Sequence, residues 1–391
     1  MISRVLLAIG LAILMVVSGI GSYMYLGSRH PNLAAPPQEP VAASPTAGAF
    51  NVPGTLFLTQ GGAIYSVSAG RFHQLTAADG WTQLALYPGD NLLAVKRSFL
   101  YSDVYVLSRL GRVIRKLTNN TVPVLNRDNT LRHWSFYPRM SANGRTLFMS
   151  YDKPKFGFDV PMSIWALPVG ATMQQAKLWT IAIDYTGGDM QPVPLASGGL
   201  VYTKYFYSDG HLTSQVWLTT SPERPYGGGR YLAPPPGPGH GKALTRPEEG
   251  CAQPSLSLDG RTMAMICTHG TQVSYLTLAS FNGSTLGPRR TVINNQMVAQ
   301  PAWAPDGSGI AYLAPAVLGS GFQLWWLPKA AYAPPTPSPA PPATSPSPSG
   351  SVTSPTATKT PSPAPTPVPV KPVQMTTNLG LDATSPIAWL P

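Results

Sequence analysis

Residues whose types and spacing would support catalysis or cofactor binding are scarce in this sequence of 391 residues. The segment Gly237–Lys242 (GPGHGK) is similar to a phosphate-binding loop, but it lacks the first glycine at the required spacing. Ala243 also stands where such a loop has its serine or threonine. The G-x-S-x-G motif of a nucleophilic serine is absent. We therefore predict no catalytic residue and no cofactor, and we interpret Gly237–Lys242 as a proline–glycine loop.

Acidic and aromatic residues lie close together in one part of the chain, and such surfaces can bind sugars or cations. An alternative is that the aromatic residues follow the periodicity of packed strands and the aspartates lie in loops, and we favour it. The residues concerned are Asp184, Asp189, Asp209, Tyr185, Tyr202, Tyr205 and Tyr207. The histidines are isolated, because none lies two or four residues from another, and we interpret them as loop or surface residues. They are His30, His73, His133, His211, His240 and His269.

The two cysteines, Cys251 and Cys267, are equally distant from Asp259, which begins an Asp-Gly turn. In an antiparallel hairpin centred on that turn they face each other, and an exported chain meets oxidising conditions. We therefore predict a disulfide between them. The alternative is a pair of buried thiols that pack as small apolar groups. A metal site is not expected, because no histidine lies nearby at ligand spacing.

The elements that hold these residues repeat along the chain. Each repeat has an apolar strand, a turn of Asp, Asn or Gly and a second apolar strand, and Asn-Gly and Asp-Gly turns favour hairpins. Turn anchors at Asp90, Gly144, Gly198, Gly260 and Gly307 are 54, 54, 62 and 47 residues apart. A four-stranded blade of a β-propeller occupies about 40–50 residues. The clearest copies are Met140–Ser150 (MSANGRTLFMS), Leu256–Ile266 (LSLDGRTMAMI) and Trp303–Leu313 (WAPDGSGIAYL).

The segment Gln300–Pro328 (QPAWAPDGSGIAYLAPAVLGSGFQLWWLP) resembles the WD-repeat-like unit of TolB-type six-bladed propellers. The family pattern is roughly P-x-W-S-P-D-G-x-x-I-A-F, a glycine-containing loop and an aromatic strand, and Ala304 replaces its usual serine. This resemblance implies an all-β propeller that works as an interaction partner, although one fold hosts many functions. The matching residues are Pro301, Trp303, Pro305, Asp306, Gly307, Ile310, Ala311, Tyr312 and Trp325.

Six four-stranded antiparallel blades account for residues 54–391. The segment Thr55–Thr76 holds three strands and lacks an innermost one, which Ala383–Pro391 would supply as a latch between the chain ends. The Pro/Ser/Thr-rich segment 333–372 then becomes a disordered insertion in the last blade rather than a tail. The predicted blades are Ala383–Pro391 with Thr55–Thr76, Trp81–Thr118, Trp134–Ala182, Asp189–Thr245, Gly250–Ile293 and Val298–Thr377.

The N-terminus predicts export. Residues 1–4 form a basic cytoplasmic region, and Val5–Leu26 is 22 residues without a charge, long enough to span a membrane. We interpret Val5–Leu26 as an uncleaved signal-anchor, with a cleaved signal peptide and secretion as the alternative. Residues 27–53 form a flexible spacer that is rich in proline and alanine. Both interpretations place the rest of the chain in the cell envelope or outside the cell.

The net charge is +11, from 27 basic and 16 acidic residues. The basic residues are scattered, with no dense run beyond Arg112–Lys116, so we do not expect nucleic-acid binding. We expect a non-catalytic extracytoplasmic binding module, with a monomeric propeller, that engages a protein or an envelope polymer. The alternative is a propeller enzyme, a carbohydrate lyase or hydrolase, with its site at the mouth of the channel.

Overall fold

A computed structural model of the chain describes residues 52–121, 131–153, 155, 161–183, 185–223, 241–270, 273–333 and 371–391. The predicted cytoplasmic region, signal-anchor and spacer, apart from Val52 and Pro53, lie outside these residues, as do residues 334–370 of the predicted insertion. Within the described ranges, no helix has the length and apolar character needed to cross a membrane.

Twenty-four strands and two short 3-10 helices, Pro247–Glu249 and Lys329–Ala331, make up the regular structure of these residues. In chain order the strands are β1 Thr55–Gln60, β2 Ala63–Ser68, β3 Arg71–Gln74, β4 Trp81–Tyr87, β5 Asn91–Arg97, β6 Ser102–Leu107, β7 Val113–Lys116, β8 Ser135–Met140, β9 Thr146–Tyr151, β10 Ser163–Pro168, β11 Lys177–Leu178, β12 Asp189–Pro194, β13 Leu200–Ser208, β14 His211–Thr219, β15 Lys242–Ala243, β16 Cys251–Leu256, β17 Thr262–Cys267, β18 Tyr275–Phe281, β19 Leu286–Ile293, β20 Ala299–Trp303, β21 Gly309–Pro315, β22 Phe322–Pro328, β23 Val373–Gln374 and β24 Ala388–Leu390.

The strands form six four-stranded antiparallel sheets, and the innermost strand of each contacts the innermost strand of the next around a closed ring. This confirms the predicted six-bladed β-propeller. Blade 1 contains β24, β1, β2 and β3, and blades 2 to 6 each contain the next four strands in chain order. We call the strands of a blade a to d from the axis outward. Because neighbouring strands are antiparallel, the a–b and c–d turns share one end of the propeller, here called the a–b face.

The predicted latch is confirmed by the register of β24 on β1, in which Leu56 lies opposite Trp389. The Trp389 indole donates a hydrogen bond to the Pro53 carbonyl over 2.7 Å and meets Trp326 of blade 6 edge to face, with ring centroids 5.6 Å apart. Strand β23 pairs with β22 and is therefore strand d of blade 6; residues 334–370, which precede it in the chain, lie outside the described residues.

The turn at Asp259 and Gly260 shows why these sequences form hairpins. Gly260 has φ +67°, a conformation that glycine adopts without strain. The Asp259 carboxylate accepts hydrogen bonds from the Ser257 hydroxyl and the Arg261 amide, which together hold the pKa of Asp259 below its usual value. Ser141, Asn143 and Gly144 repeat this arrangement in blade 3. The sequence therefore sets the turn, and the turn sets which residues of strands a and b face each other.

The core lies between the blades rather than within them. One apolar cluster joins Leu93 and Val95 of blade 2 to Leu147 and Met149 of blade 3, and all four side chains are buried. Comparable clusters join blades 4 and 5, blades 5 and 6, and blades 6 and 1. A blade buries both of its faces only when it has neighbours, so the innermost strands are held rigidly around the axis.

Candidate functional site

The innermost strands of blades 2 to 6 share a backbone irregularity. In each, the pairing with strand b shifts register at the same place, and the residue there has φ between 50° and 56°. Proline follows this residue in four of the five blades, and proline cannot donate to the strand ladder. The bulge turns the backbone amide of the bulged residue out of the sheet and toward the neighbouring blade. The five bulged residues are Gln83, Tyr137, Gln191, Gln253 and Gln300.

Hydrogen bonds between neighbouring blades link most of these five residues and Ser385, the equivalent position in blade 1, around the axis, and we call the set the glutamine ring. The Gln83 amide donates to the Ser385 hydroxyl over 2.8 Å, and the Tyr137 amide donates to Oε1 of Gln83 over 2.9 Å. The Gln253 amide donates to Oε1 of Gln191 over 3.1 Å, and the Gln300 amide to Oε1 of Gln253 over 2.6 Å. Nε2 of Gln300 closes the ring onto the Ala383 carbonyl over 2.9 Å.

From the glutamine ring, a cavity of about 1150 Å³ extends along the axis to the a–b face. Strands or turns of all six blades line it, so only the closed ring forms it. Its wall is built mainly from prolines and apolar side chains, including Met140, Val193 and Leu256. The charged residues among its described lining are Arg139, Asp259 and Arg261. A cavity of this size holds a ligand as large as a short peptide or an oligosaccharide.

Of the three charged lining residues, Arg139 lies on a strand, two positions after the bulge in β8, whereas Asp259 and Arg261 lie in a turn. Nη1 of Arg139 donates to the carbonyls of Leu84 over 3.0 Å and of Pro138 over 3.1 Å. Burial lowers the pKa of this guanidinium to about 10, against a smaller opposing effect of Tyr137. The group therefore stays positively charged at neutral pH.

The glutamine ring includes one tyrosine, Tyr137, and Tyr205 lies close to it. Burial, with smaller effects of Tyr205 and Asp382, raises the pKa of Tyr137 to about 12. Burial likewise raises the pKa of Tyr205. Both hydroxyls therefore stay protonated at neutral pH and can serve as hydrogen-bonding groups, whereas neither is suited to act as a base.

Cys251 and Cys267 lie directly opposite each other on β16 and β17, fully buried, and their sulfurs are bonded. The pair lies outside the lining of the axial cavity, so its place in the structure is that of a cross-strand link. The predicted disulfide is tested in solution by mass measurement after alkylation, with and without reductant. We expect two alkyl groups only after reduction.

The described acidic and aromatic residues of blade 4 divide between a buried cluster and the surface, where Tyr185 and Tyr207 are exposed. Asp189 is fully buried at the start of β12 and pairs with Nζ of Lys204 at 3.0 Å, whereas Asp209 is exposed in a turn. Asp184 lies outside the described residues. The Tyr202 hydroxyl donates to Glu223 over 2.7 Å inside the same buried cluster. The aspartates were expected in loops, and for Asp189 that expectation is wrong, because its carboxylate is held inside the blade by Lys204.

The histidines are separate from one another in the structure as well. Nδ1 of His133 lies 2.8 Å from the buried carboxylate of Asp152, while His73, His211 and His269 are exposed. His30 and His240 lie outside the described residues, together with most of the Gly237–Lys242 segment. Within the described part of the chain, no three His, Cys, Asp or Glu side chains are grouped so that they would hold a metal ion.

Sequence reasoning missed the glutamine ring and Arg139. The signal available was a residue followed by proline at one position of successive repeats: Tyr137-Pro138, Gln191-Pro192, Gln253-Pro254, Gln300-Pro301 and Ser385-Pro386. Its meaning depends on the bulge, which brings each such residue next to its equivalent in the neighbouring blade.

No protein-family model and no curated protein matches this chain. Among solved structures, it is similar to a protein assigned as TolB from Agrobacterium tumefaciens, with a TM-score of 0.51 and 13% identity over 86% of this chain and 98% of that one. The fold is a TolB-like six-bladed propeller. TolB from Acinetobacter baumannii matches with a TM-score of 0.48 and 14% identity, over 72% of this chain and 63% of that one. Hydrazine synthase from Kuenenia stuttgartiensis matches with a TM-score of 0.50 and 10% identity, over 71% of this chain and 44% of that one.

The TolB-like propeller therefore provides an axial cavity with two kinds of wall. At its inner end the glutamine ring offers neutral polar groups, and toward the a–b face the wall becomes apolar and rich in proline. At these identities the likeness concerns the fold alone, so function has to be argued from the cavity and its residues.

Proposed function

We propose that this protein is a non-catalytic, extracytoplasmic binding module that holds a segment of a protein or of an envelope polymer in its axial cavity. The observation that carries the proposal is the cavity of about 1150 Å³, to which all six blades contribute. A rigid concave site with apolar walls and a few fixed polar groups is the usual architecture of a ligand site. The glutamine ring would orient the ligand, and the prolines and apolar side chains would bury its surface.

The character of the wall supports binding over catalysis. An enzyme of the lyase or hydrolase type needs acid and base groups that face each other at one end of the channel. In the described lining, Asp259 and Arg261 belong to a surface turn, and Arg139 lies alone on the wall. The tyrosines near the ring have raised pKa values and cannot supply the base.

An extracytoplasmic location accords with the charge-free segment Val5–Leu26 and with the disulfide between Cys251 and Cys267, which an oxidising compartment would preserve. We propose that Val5–Leu26 tethers the propeller to the membrane. Residue 55 begins strand b of blade 1 at the a–b face, so the chain leading from that segment joins the propeller at the face onto which the cavity opens. A tethered propeller would then hold its ligand close to the membrane.

The proposal is tested by capture of ligands from envelope extracts with the full chain in detergent. Leu86, 40% exposed, lies in the cavity lining, and Val113, 53% exposed, lies on the outermost strand of the same blade. Leu86→Glu and Val113→Glu add the same charge at similar exposure. We expect Leu86→Glu to lose the ligand and Val113→Glu to retain it. Equal capture by both variants would show that the axial cavity is not the binding site. Shortening of a captured polymer with time would favour the alternative, a propeller enzyme.

A further inference from the structure

Arg139, which is half-buried, differs from three other buried or half-buried cations of the described residues in having no carboxylate partner. Lys204 pairs with Asp189 at 3.0 Å, Arg289 with Glu249 at 2.8 Å, and Lys155 with Asp152 at 3.4 Å. Among the described residues, no carboxylate lies within ion-pair distance of Arg139, which lies on the wall of the axial cavity instead. A charge withdrawn from water without a counter-charge is costly, so an unpaired guanidinium here calls for an explanation.

Arg139 lines the axial cavity and keeps donors that are not used within the described residues. Nη1 of Arg139 donates both of the hydrogen bonds that this side chain makes, whereas its Nε and Nη2 donate to no described residue. Those two nitrogens present the fork that binds carboxylate and phosphate in a bidentate manner. Nε2 of Gln253, a neutral donor in the same cavity lining, also donates to no described residue.

The face onto which the cavity opens is basic. Nine exposed basic residues lie in the described turns and strand ends at the a–b face, against three exposed acidic residues. Such an excess attracts anions to the mouth of the channel. The basic residues are Arg71, Arg109, Arg112, Arg145, Lys177, Lys242, Arg261, Lys329 and Lys371, and the acidic ones are Asp90, Asp259 and Asp306.

We propose that the axial cavity contains an oxyanion site centred on the guanidinium of Arg139, and that the ligand enters from the a–b face with a carboxylate or phosphate group at its leading end. The existence of the site follows from Arg139 and its surroundings, whereas its use by a larger ligand rests on the proposed function. The ligand's anion would take the place of the missing counter-charge, and the apolar wall would exclude water and strengthen the pairing.

The first test uses the unaltered full chain. Phenylglyoxal modifies accessible arginines. Peptide mapping by mass spectrometry then measures how far each arginine has been modified. Propionate and inorganic phosphate serve as anions, and propionamide, the uncharged counterpart of propionate, serves as the control, all at constant ionic strength. We expect one or both anions to slow modification of Arg139 at least fivefold and to leave Arg145 and Arg261 unchanged. Equal protection of all three arginines, or none, would overturn the site.

The second test measures affinity by titration calorimetry and by the shift in melting temperature. Arg139→Gln keeps a polar N–H donor on the side chain but removes the charge, and Arg261→Gln removes a charge from the same cavity lining at its exposed rim. We expect at least tenfold weaker anion binding for Arg139→Gln and less than twofold for Arg261→Gln. If Arg139→Gln does not fold, the protection experiment decides. Tighter binding of propionate would indicate a carboxylate ligand, and tighter binding of phosphate a phosphorylated one.

The two proposals fail separately. Anion binding at Arg139 without any ligand captured through the cavity would support the oxyanion site and count against the binding module. Capture that depends on Leu86, from a chain in which neither anion protects Arg139, would support the module and overturn the oxyanion site.

Discussion

At the scale of the residue, blade 4 carries the most unusual group in the structure. Lys204 is fully buried, and its Nζ lies 3.0 and 3.2 Å from the two oxygens of Asp189 and 2.8 Å from the Ile181 carbonyl. Glu223 closes the cluster by accepting hydrogen bonds from Tyr202 and the Ile181 amide. The ammonium of Lys204 therefore pairs with the carboxylate of Asp189, while neutral donors hold Glu223 in the same cluster, so the blade is sensitive to the loss of the Lys204 charge.

Replacement of Lys204 by methionine leaves the buried carboxylate of Asp189 without its cation. We expect Lys204→Met to lower the free energy of unfolding by about 3–5 kcal/mol, the usual cost of removing one partner of a buried pair. Lys177→Met, at an exposed position in blade 3, should change it by less than about 0.5 kcal/mol. Denaturant unfolding at pH 7 measures both. A loss from Lys204→Met no larger than that of the control would show that the cluster does not stabilise the fold.

Asp189 also makes stability depend on pH. Burial, opposed by Lys204 and supported by Glu223, raises the pKa of Asp189 from 3.8 to about 6. Between these values the folded state binds more protons than the unfolded state, so the contribution of Asp189 is complete below pH 3.8 and is lost as the pH rises through 6. We expect the unfolding free energy of the protein, relative to Asp189→Asn, to fall by about 2 kcal/mol from pH 4 to pH 7. A difference that grows with pH would contradict this assignment.

At the scale of the element, hairpins could be predicted from sequence and bulges could not. The turn at Asp259 and Gly260 depends on residues within five positions of each other, and its prediction is confirmed. The bulge at Gln253 acquires its role only when the Gln191 carboxamide arrives from the neighbouring blade. Lys204 was missed for a related reason, because every residue from 200 to 204 is buried and strand periodicity cannot single one out.

The glutamine ring should hold neighbouring blades together. In Gln253→Met, the Gln300 amide loses its acceptor at a position where Gln300 is only 4% exposed. We expect the free energy of unfolding to fall by about 1–3 kcal/mol, the cost of an unsatisfied buried donor. Gln74→Met, on the exposed outer strand of blade 1, is the matched control and should stay within about 0.5 kcal/mol of the parent. Equal effects of the two variants in urea titrations would argue against the ring as a stabilising element.

At the scale of the whole molecule, the number of blades and their closure were predictable because they follow from repeat spacing and from one incomplete blade. The cavity was not, because its shape depends on how six innermost strands meet around the axis. The cavity exists only while the ring is closed, since blade 1 supplies Pro386, Ile387 and Trp389 to its wall. Ligand binding and the latch are therefore expected to be coupled.

Deletion of Asp382–Pro391 tests this coupling. It removes β24, leaves the inner edge of β1 unpaired while β1 still pairs with β2, and exposes the blade 6 surface around Trp326. Burial of Ile387 and Trp389 alone contributes about 3–6 kcal/mol, so we expect a loss of at least about 5 kcal/mol in unfolding free energy once the strand pairing is included. In the control chain, a short Gly/Ser linker replaces residues 334–370. Its melting temperature should equal that of the parent, because the entropy cost of closing a loop changes little with loop length.

The deleted strand can be supplied again as a peptide. A synthetic Asp382–Pro391 peptide should restore the melting temperature of the shortened chain by pairing with β1, as strands add to a free sheet edge. The same peptide with Trp389→Ala loses the contact with Trp326 and the hydrogen bond to Pro53, so it should restore much less. Melting of the shortened chain at the parent temperature, or equal rescue by both peptides, would show that the last strand does not close the ring. Ligand capture should return only with the peptide that closes the ring.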